Sequence, residues 1–326
     1  MAKREFDESD VKIRPQRRKP ARTKDRPDYS SAQTGLVIET DRGRCQVLIE
    51  NQIVVNSMKA RELGKGSVVV GDLVKVVGDL TGAPGTLARI VNVQERTNSL
   101  SRTIDDVANS EKVIVANVDQ MGIVVAAANP EPKLGLVDRA LVVAFDQGIE
   151  PIIIFTKCDL ANPDQFLKNY EELGVNFFKI NKESDLQPLL EKLKSKKTVL
   201  FGHSGVGKST LVNKLAGINI RSTGSVNEVT GRGRHTSSNA LAINLDYQGI
   251  SDQTWIIDTP GVRSFGISHL NPTRVYQAFP EFAKLIARCP KNCSHNEVSC
   301  ELNLVVENNN FHQFSRLNSL RRLLNN

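Results

Sequence analysis

The spacing of apolar positions changes character along the chain. From Gln33 to about Arg96 apolar residues come in short runs separated by Gly-rich or charged turns. Strands are predicted over 34–39, 44–49, 68–70, 73–77 and 88–93. Turn signals sit at Asp41-Arg42-Gly43, Gly64-Lys65-Gly66, Gly71-Asp72 and Gly82-Ala83-Pro84-Gly85. Such a series fits a small antiparallel barrel, with the OB-fold as leading candidate. From about Leu100 to Ile267 apolar strand runs (121–127, 151–155, 198–201, 254–257) alternate with helical patterns (136–147, 163–173, 208–216). That alternation predicts a parallel sheet covered by helices on both faces, an α/β domain. The remainder reads as helical, interrupted by a Cys/His cluster. It ends in Phe311, Phe314, Leu317, Leu320 and Leu324 at helical spacing, with Arg316, Arg321 and Arg322 interleaved. The stripe is read as a packing face. The expected divisions are an arm (1–30), a barrel (31–98), an α/β domain (99–267) and a helical metal-binding domain (268–326).

Composition narrows the classes. Of the 326 residues 40% are hydrophobic and 24% charged, an ordinary globular balance, and no apolar run is long enough to span a bilayer. Lys plus Arg is 43 against 36 for Asp plus Glu, a net charge of +7 that favours an anionic partner such as nucleic acid. Between Lys12 and Arg26 lie eight basic residues and one acidic, broken by Pro15 and Pro20. This segment cannot bury enough apolar surface to offset its ordering entropy and is expected to be disordered. It serves either as a solvated tail or as a polycation arm on phosphates. The start of the chain has no signal-peptide core, and Glu5, Asp7, Glu8 and Asp10 speak against an acid-poor transit sequence. A cytoplasmic location is expected. No long exposed apolar seam is evident, so a monomer is expected.

Five cysteines are too few and too uneven for a disulfide framework. Cys45, on a barrel strand, is expected in the core. Cys289, Cys293, His295 and Cys300 supply three thiolates and an imidazole, a recurrent tetrahedral Zn²⁺ set. With no position left for water, one structural zinc is expected there.

The α/β region carries phosphate chemistry. Gly202-His203-Ser204-Gly205-Val206-Gly207-Lys208-Ser209, followed by Thr210, matches GxxxxGK[ST] between a predicted strand and a predicted helix. Glycines let backbone N–H groups close around phosphate oxygens. Lys208 would reach the β- and γ-phosphates, Ser209 would ligate Mg²⁺, and the helix N-terminus favours the negative charge. Asp258-Thr259-Pro260-Gly261 follows an apolar strand. Asp258 would hold Mg²⁺ through water, and Gly261 would offer its N–H to the γ-phosphate. Thr156-Lys157-Cys158-Asp159 ends another strand. A carboxylate at Asp159 would accept from guanine N1 and N2, which adenine does not offer, while Lys157 would lay its stem over the base. Thr156 takes the first position of an NKxD-type tetrapeptide, and Cys158 the variable one.

The guanine motif thus precedes the phosphate loop, and the Mg²⁺ motif comes last. This order is circularly permuted relative to conventional GTPases, which a parallel sheet tolerates because the site depends on strand order in space. With these motifs, the barrel, Gly231-Arg232-Gly233-Arg234-His235-Thr236, Phe279-Pro280-Glu281-Phe282 and the terminal Cys/His cluster, the chain resembles the ribosome small-subunit-dependent GTPase A family over almost its whole length. The resemblance implies a cytoplasmic GTPase that binds the 30S subunit and its 16S rRNA late in maturation. It further implies release of an assembly factor and stimulation of GTP hydrolysis by the subunit. Two departures stand out. Where the family offers a small Ser for the last guanine loop, this chain reads Lys179-Ile180-Asn181, which leaves the N–H facing guanine O6 unassigned. The metal cluster reads Cys-x3-Cys-x-His-x4-Cys, each longer gap one residue short of the family spacing.

The segment 231–238, rich in Gly and Arg, is the expected switch, with Thr236 a second Mg²⁺ ligand when a γ-phosphate is present. Val262 stands where Ras-like proteins carry a water-orienting Gln, so another group must serve. His235 is the first candidate and His203 the second. Arg232 or Arg234 would act as an internal finger or touch RNA phosphate. Two other classes stay open at this level: a metabolic or transport-linked P-loop NTPase without RNA, and a GTP-gated RNA-binding module with negligible hydrolysis.

Overall fold

The computed structural model describes residues 29, 31–41, 43–64, 68–103, 111–217, 240–245, 253–259, 272–307 and 311–324. Ala32–Asn326 makes one unit, separate from Met1–Ser31, and the architecture below is that of the larger one. The basic arm, and within 231–238 the residues Arg232, Arg234, His235 and Thr236, lie outside the described residues, as do Gly261 and Val262.

The barrel is formed by β1 (Gln33–Asp41), β2 (Arg44–Leu48), β3 (Val54–Lys59), β4 (Leu73–Gly78) and β5 (Ala88–Val93). Its order is β1-β2-β3-β5-β4, closed by β4 pairing back onto β1. One long strand serves both neighbours. The first half of β1 pairs with β4 and the second with β2, with a bulge between Val37 and Glu39. Val37, Val47, Val55, Val74, Val76 and Ile90 fill the interior, with Cys45 buried among them as expected. Burial also pushes the Cys45 thiol up to about 11, so it stays protonated.

Sequence patterning and structure part company at β3. Its inward positions include Ser57, fully buried, while the apolar Met58 faces out, so the strand lacks the alternation that marks its neighbours. The strand expected over 68–70 is instead a buried extended segment without a ladder. Val70 makes a single bridge to Val115, and the Val69 N–H donates to Asp72 Oδ2 at 2.8 Å. Arg96 grips the same buried carboxylate with two bonds of 2.7 and 2.9 Å.

A hairpin follows, β6 (Ser99–Thr103) with β7 (Glu111–Ala116). The long apolar run through 113–127 is therefore two strands. Asn117, in left-handed backbone, turns the chain between them, its side chain accepting from the Thr97 N–H and donating to the Gly71 carbonyl.

The second sheet region contains β8 (Gln120–Ala126), β9 (Glu150–Thr156), β10 (Asn176–Lys179), β11 (Lys197–Phe201), β12 (Leu241–Asn244) and β13 (Trp255–Asp258). The order is β10-β9-β8-β11-β13-β12, parallel except for β12. β12 meets β1 at Glu39 and Leu241, so barrel and α/β sheet are one hydrogen-bonded surface. All seven residues of β8 are buried, as a strand covered on both faces requires. Helix α1 (Leu134–Asp146) covers one face. The other is covered by α3 (Gln187–Leu193) and α4 (Lys208–Gly217).

The helix expected over 163–173 is broken into α2 (Asp164–Leu167) and a 3₁₀ turn, Glu171–Leu173. Between them Asn169 turns its amide onto the Phe166 carbonyl at 2.8 Å, competing with the helical ladder.

The C-terminal region stacks on α1. It comprises α5 (Pro272–Tyr276), α6 (Ala283–Ile286), α7 (Leu304–Glu307) and α8 (Phe311–Leu324). The buried stripe of α8 is Leu317, Leu320 and Leu323 together with Arg316, whereas Phe314 is 40% exposed. The expected packing face is therefore rotated, and an arginine lies in its centre.

Candidate functional site

Three sequence motifs end three strands of one sheet edge. β9 stops at Thr156, β11 at Phe201 before the glycine loop, and β13 at Asp258; β8 separates the first two, and β11 lies beside β13. The carboxyl ends of parallel strands are where α/β sheets bind ligands.

The loop fits its task residue by residue. A β-carbon at Gly202 would stand 2.3 Å from the Val124 carbonyl oxygen, so only glycine lets the chain leave β11 there. Gly205 and Gly207 have φ of 80° and 94°, positive-φ backbone that residues with a side chain rarely adopt and that phosphate-cradling loops use. Val206 is the anchor: its side chain is buried between β8 and α4. His203, Ser204, Ser209 and Thr210 are exposed. The His203 ring Nδ1 lies 3.0 Å from the Ser204 carbonyl.

The guanine motif is tied to that loop directly. The buried Thr156 hydroxyl donates to the Val206 carbonyl, and Lys157 Nζ donates to the carbonyls of Asn129 and, at 2.9 Å, Gly205. The first motif thus reaches across to the second through two side chains. Asp159 is exposed beyond them. Cys158 is half-buried, and its N–H donates to Ile180 O at 3.2 Å.

At the phosphate end, Lys208 Nζ donates to the carbonyls of Gly202 (2.6 Å) and His203 (3.0 Å). Burial pushes the Lys208 amine below its ordinary pKa and the Asp258 carboxyl above its own, and each charge opposes the other's shift. Burial outweighs their attraction, so both shifts run toward the neutral forms. The Thr259 hydroxyl donates to Leu200 O at 3.1 Å, fixing the end of β13 to β11.

The Cys/His cluster lies elsewhere, below α5 and α8. The ligand atoms of Cys289, Cys293, His295 and Cys300 all fall within 4.8 Å of one another. Cys289 Sγ is 3.7 Å from Cys300 Sγ, and Cys300 Sγ is 3.6 Å from His295 Nδ1. A tetrahedral ion at ordinary thiolate and imidazole distances would space them about 3.8 and 3.6 Å apart. The donors and the shortened gaps therefore fit a metal ion. Sequence reasoning missed the residues that orient the cluster. Tyr276 Oη lies 3.0 Å from His295 Nε2, leaving Nδ1 to face the thiols, and Arg321 donates to the His295 carbonyl at 2.8 Å. Burial, and then the Arg321 charge, hold the imidazole below its ordinary pKa, favouring the neutral form that ligates. No short motif announces these supports, which come from 19 and 26 residues away.

A phosphate loop on the central strand, flanked by a guanine-type tetrapeptide and an Asp-bearing strand in rotated chain order, defines a circularly permuted P-loop GTPase, an enzyme that hydrolyses GTP. Comparison with known proteins agrees. The RsgA GTPase family model matches residues 93–268. The small ribosomal subunit biogenesis GTPase RsgA of Flavobacterium johnsoniae is 34% identical over 267 residues, 79% of this chain and 80% of that protein. Its counterpart in Gemmatimonas aurantiaca is 32% identical over 294 residues, 85% and 92% of the two chains. The crystal structure of YjeQ from Thermotoga maritima matches with a TM-score of 0.64 at 25% identity, covering 90% of this chain and 99% of that one. YloQ, described as a circularly permuted GTPase, matches with a TM-score of 0.61 at 21% identity, covering 92% and 97%. The chain belongs to the RsgA GTPase family.

Proposed function

We propose that this protein acts in the biogenesis of the small ribosomal subunit, binding the 30S particle late in its maturation and hydrolysing GTP to GDP and phosphate under its stimulation. The observation that carries the reading is the tether between Thr156 and Val206, which joins a guanine-type motif to a phosphate loop. A base and a triphosphate held by those two segments would share one rigid frame. The names of the relatives supply the ribosomal context, and the +7 charge suits a polyanion.

In this reading Thr156, Lys157 and Asp159 read the base, and 202–210 cradle the phosphates with Lys208 on the transferred group. Ser209 and Thr236 hold Mg²⁺, with Asp258 beside it and Gly261 on the γ-phosphate. That ion supplies charge neutralisation on the phosphate oxygens. His235 positions the attacking water. Cys289, Cys293, His295 and Cys300 hold one structural zinc, the ion that three thiolates and an imidazole favour. The functional divisions are the arm (1–30), barrel (31–98), GTPase domain (99–267) and zinc domain (268–326). Arm, barrel and zinc domain grip 16S rRNA, and the nucleotide state sets affinity and the release of an assembly factor. The protein works as a cytoplasmic monomer; among the described residues no helix is long and apolar enough to cross a membrane.

The test is GTP turnover with and without purified 30S subunits across a salt series. Stimulation that fades with salt is expected, and His235→Ala should lose the stimulation while keeping nucleotide affinity. Equal turnover with and without subunits would overturn the ribosomal part, and indifference between GTP and ATP the whole.

A further inference from the structure

Helix α4 begins with the phosphate-loop lysine and, six residues on, carries a second lysine whose reach is toward the base end of the site. Lys214 Nζ donates to the carbonyls of Asn181 (3.2 Å) and Lys182 (2.6 Å), the two residues that follow β10 and its extension at Ile180. This is the loop that departs from the family's small Ser. It is closed on itself by a reciprocal turn. The Asn181 N–H donates to Ser184 Oγ at 2.8 Å, while Asn181 Oδ1 accepts from the Glu183 N–H at 2.8 Å and from Ser184 Oγ at 3.0 Å. The loop also abuts the guanine motif, since the Ile180 carbonyl accepts from the Cys158 N–H and the Ile180 N–H donates to Phe155.

The turn uses the N–H groups of Asn181 and Glu183 and skips the one between them. The Lys182 N–H shares its peptide group with the Asn181 carbonyl, and in a trans peptide these two point in opposite directions. A lysine holding that carbonyl from the α4 side therefore aims the Lys182 N–H away from α4. We infer that Lys214 is a positioning residue for guanine recognition, holding the Asn181–Lys182 peptide so that the Lys182 N–H donates to guanine O6. The inference rests on the guanine reading of the site above. It makes α4 a rigid bar between the two ends of the nucleotide, with Lys208 at the phosphates and Lys214 behind the base.

The experiment measures Kd for three diphosphates on the wild-type protein, Lys214→Met and Lys214→Arg. GDP carries O6, the N1 proton and the 2-amino group, and IDP keeps O6 and the N1 proton and lacks the amino group. 2-Aminopurine riboside diphosphate keeps the amino group and lacks both O6 and the N1 proton, so each nucleotide is compared with itself between variant and wild type. In Lys214→Met, affinities for GDP and IDP should fall together by about tenfold, one hydrogen bond's worth. Affinity for the 2-aminopurine nucleotide should stay where it was, and Lys214→Arg should restore the wild-type pattern. Circular dichroism tells a folded variant from an unfolded one, and Lys214→Gln takes the place of the Met variant should that one not fold. Equal loss for all three nucleotides, or loss for none, would overturn the inference while leaving guanine binding intact. Wild-type protein that binds ADP as well as GDP would remove the guanine reading, and this inference with it.

Discussion

The strands under the phosphate loop and the helices around the Cys/His cluster reach order by different means. Six of the seven residues of β9 and all of β8 are buried, so their apolar runs settle both conformation and position. The elements α5, α6 and α7 have five, four and four residues, too short to persist alone. They and their connecting turns pack Val275, Phe279, Phe282, Leu302 and Val305 into the core shared with α1 and α8, and polar contacts distant in sequence are added to that packing. Arg316 lies 2% exposed between Asp138 of α1, at 2.5 Å, and Glu281, at 2.8 Å; it donates to the Ala278 carbonyl and its guanidinium sits 4.2 Å from the centre of the Phe279 ring. Asp138 and Arg316 are 178 residues apart. A sheet can thus be specified by its own strands, whereas this helical cap adds to its apolar packing a Cys/His cluster and a buried cation.

The strongest way to break that contrast is to remove the metal proposed for the Cys/His cluster. A closed Cys₃His site contributes folding energy outright, on the order of 10 kcal/mol in small zinc modules. Chelation or Cys300→Ser should therefore unfold the region 272–307, read as lost helical dichroism and new protease cuts there. Guanine nucleotide binding at the sheet edge should persist. Elemental analysis of the untreated protein should find one zinc per chain, and a metal-free protein with an intact C-terminal region would refute the assignment.

Next in size is the buried cation. Arg316→Met leaves the Asp138 and Glu281 carboxylates buried without a counter-charge, which costs about 3–5 kcal/mol. Urea unfolding should show that loss. Adding Asp138→Asn should recover part of it, because the neutral amide no longer needs the cation. If the double variant is no more stable than the single, the carboxylate is not the source of the penalty.

How much of this was legible in the sequence follows the same division. The glycine loop, the TKxD segment at the end of β9, the strand that ends at Asp258 and the parallel strands were legible because each is a contiguous run with a local pattern. The barrel was legible as a class, but β3 was not, because Ser57 faces in and Met58 out. Helical spacing placed Phe314 on the buried stripe and left Arg316 among the interleaved charges. Only the position of Asp138 and Glu281 reveals why an arginine is inside. Lys214 and the Asn181–Ser184 turn were equally hidden, since a lysine on an amphipathic helix looks solvated until the loop it holds is seen.

A smaller effect tests the sheet side alone. Thr156→Val keeps shape and burial and deletes the hydroxyl that donates to the Val206 carbonyl. The carbonyl is left unpaired and the phosphate loop loses its tie to the base motif, so GTP affinity should fall about tenfold. Thermal unfolding of the C-terminal region should not move. Calorimetry with a non-hydrolysable GTP analogue checks the first, and limited proteolysis of the C-terminal region across a temperature series the second. Unchanged affinity would mean that Val206 anchors the loop through its side chain only.

The smallest effect lies at the opposite end of the same strand. Burial would raise the Glu150 carboxyl, but Lys192 (2.5 Å), Lys196 (2.6 Å) and Gln120 (2.8 Å) hold it down at about 2, against 4.5 ordinarily. A carboxylate whose folded pKa is depressed stabilises the fold above its unfolded pKa, and that contribution is lost as pH falls from about 4.5 toward 2. The side chain is 37% exposed, so solvent screening limits the contribution to below about 1 kcal/mol at neutral pH. Glu150→Gln should accordingly be slightly less stable than the wild type near neutrality, and the gap should close across that acid window and shrink in high salt. Nucleotide affinity should be untouched, because the ion pairs sit at the amino end of β9 and the nucleotide motif at its carboxyl end. A gap that persists unchanged through the window would show that Glu150 contributes by packing, and the strand would then owe its position to apolar burial alone.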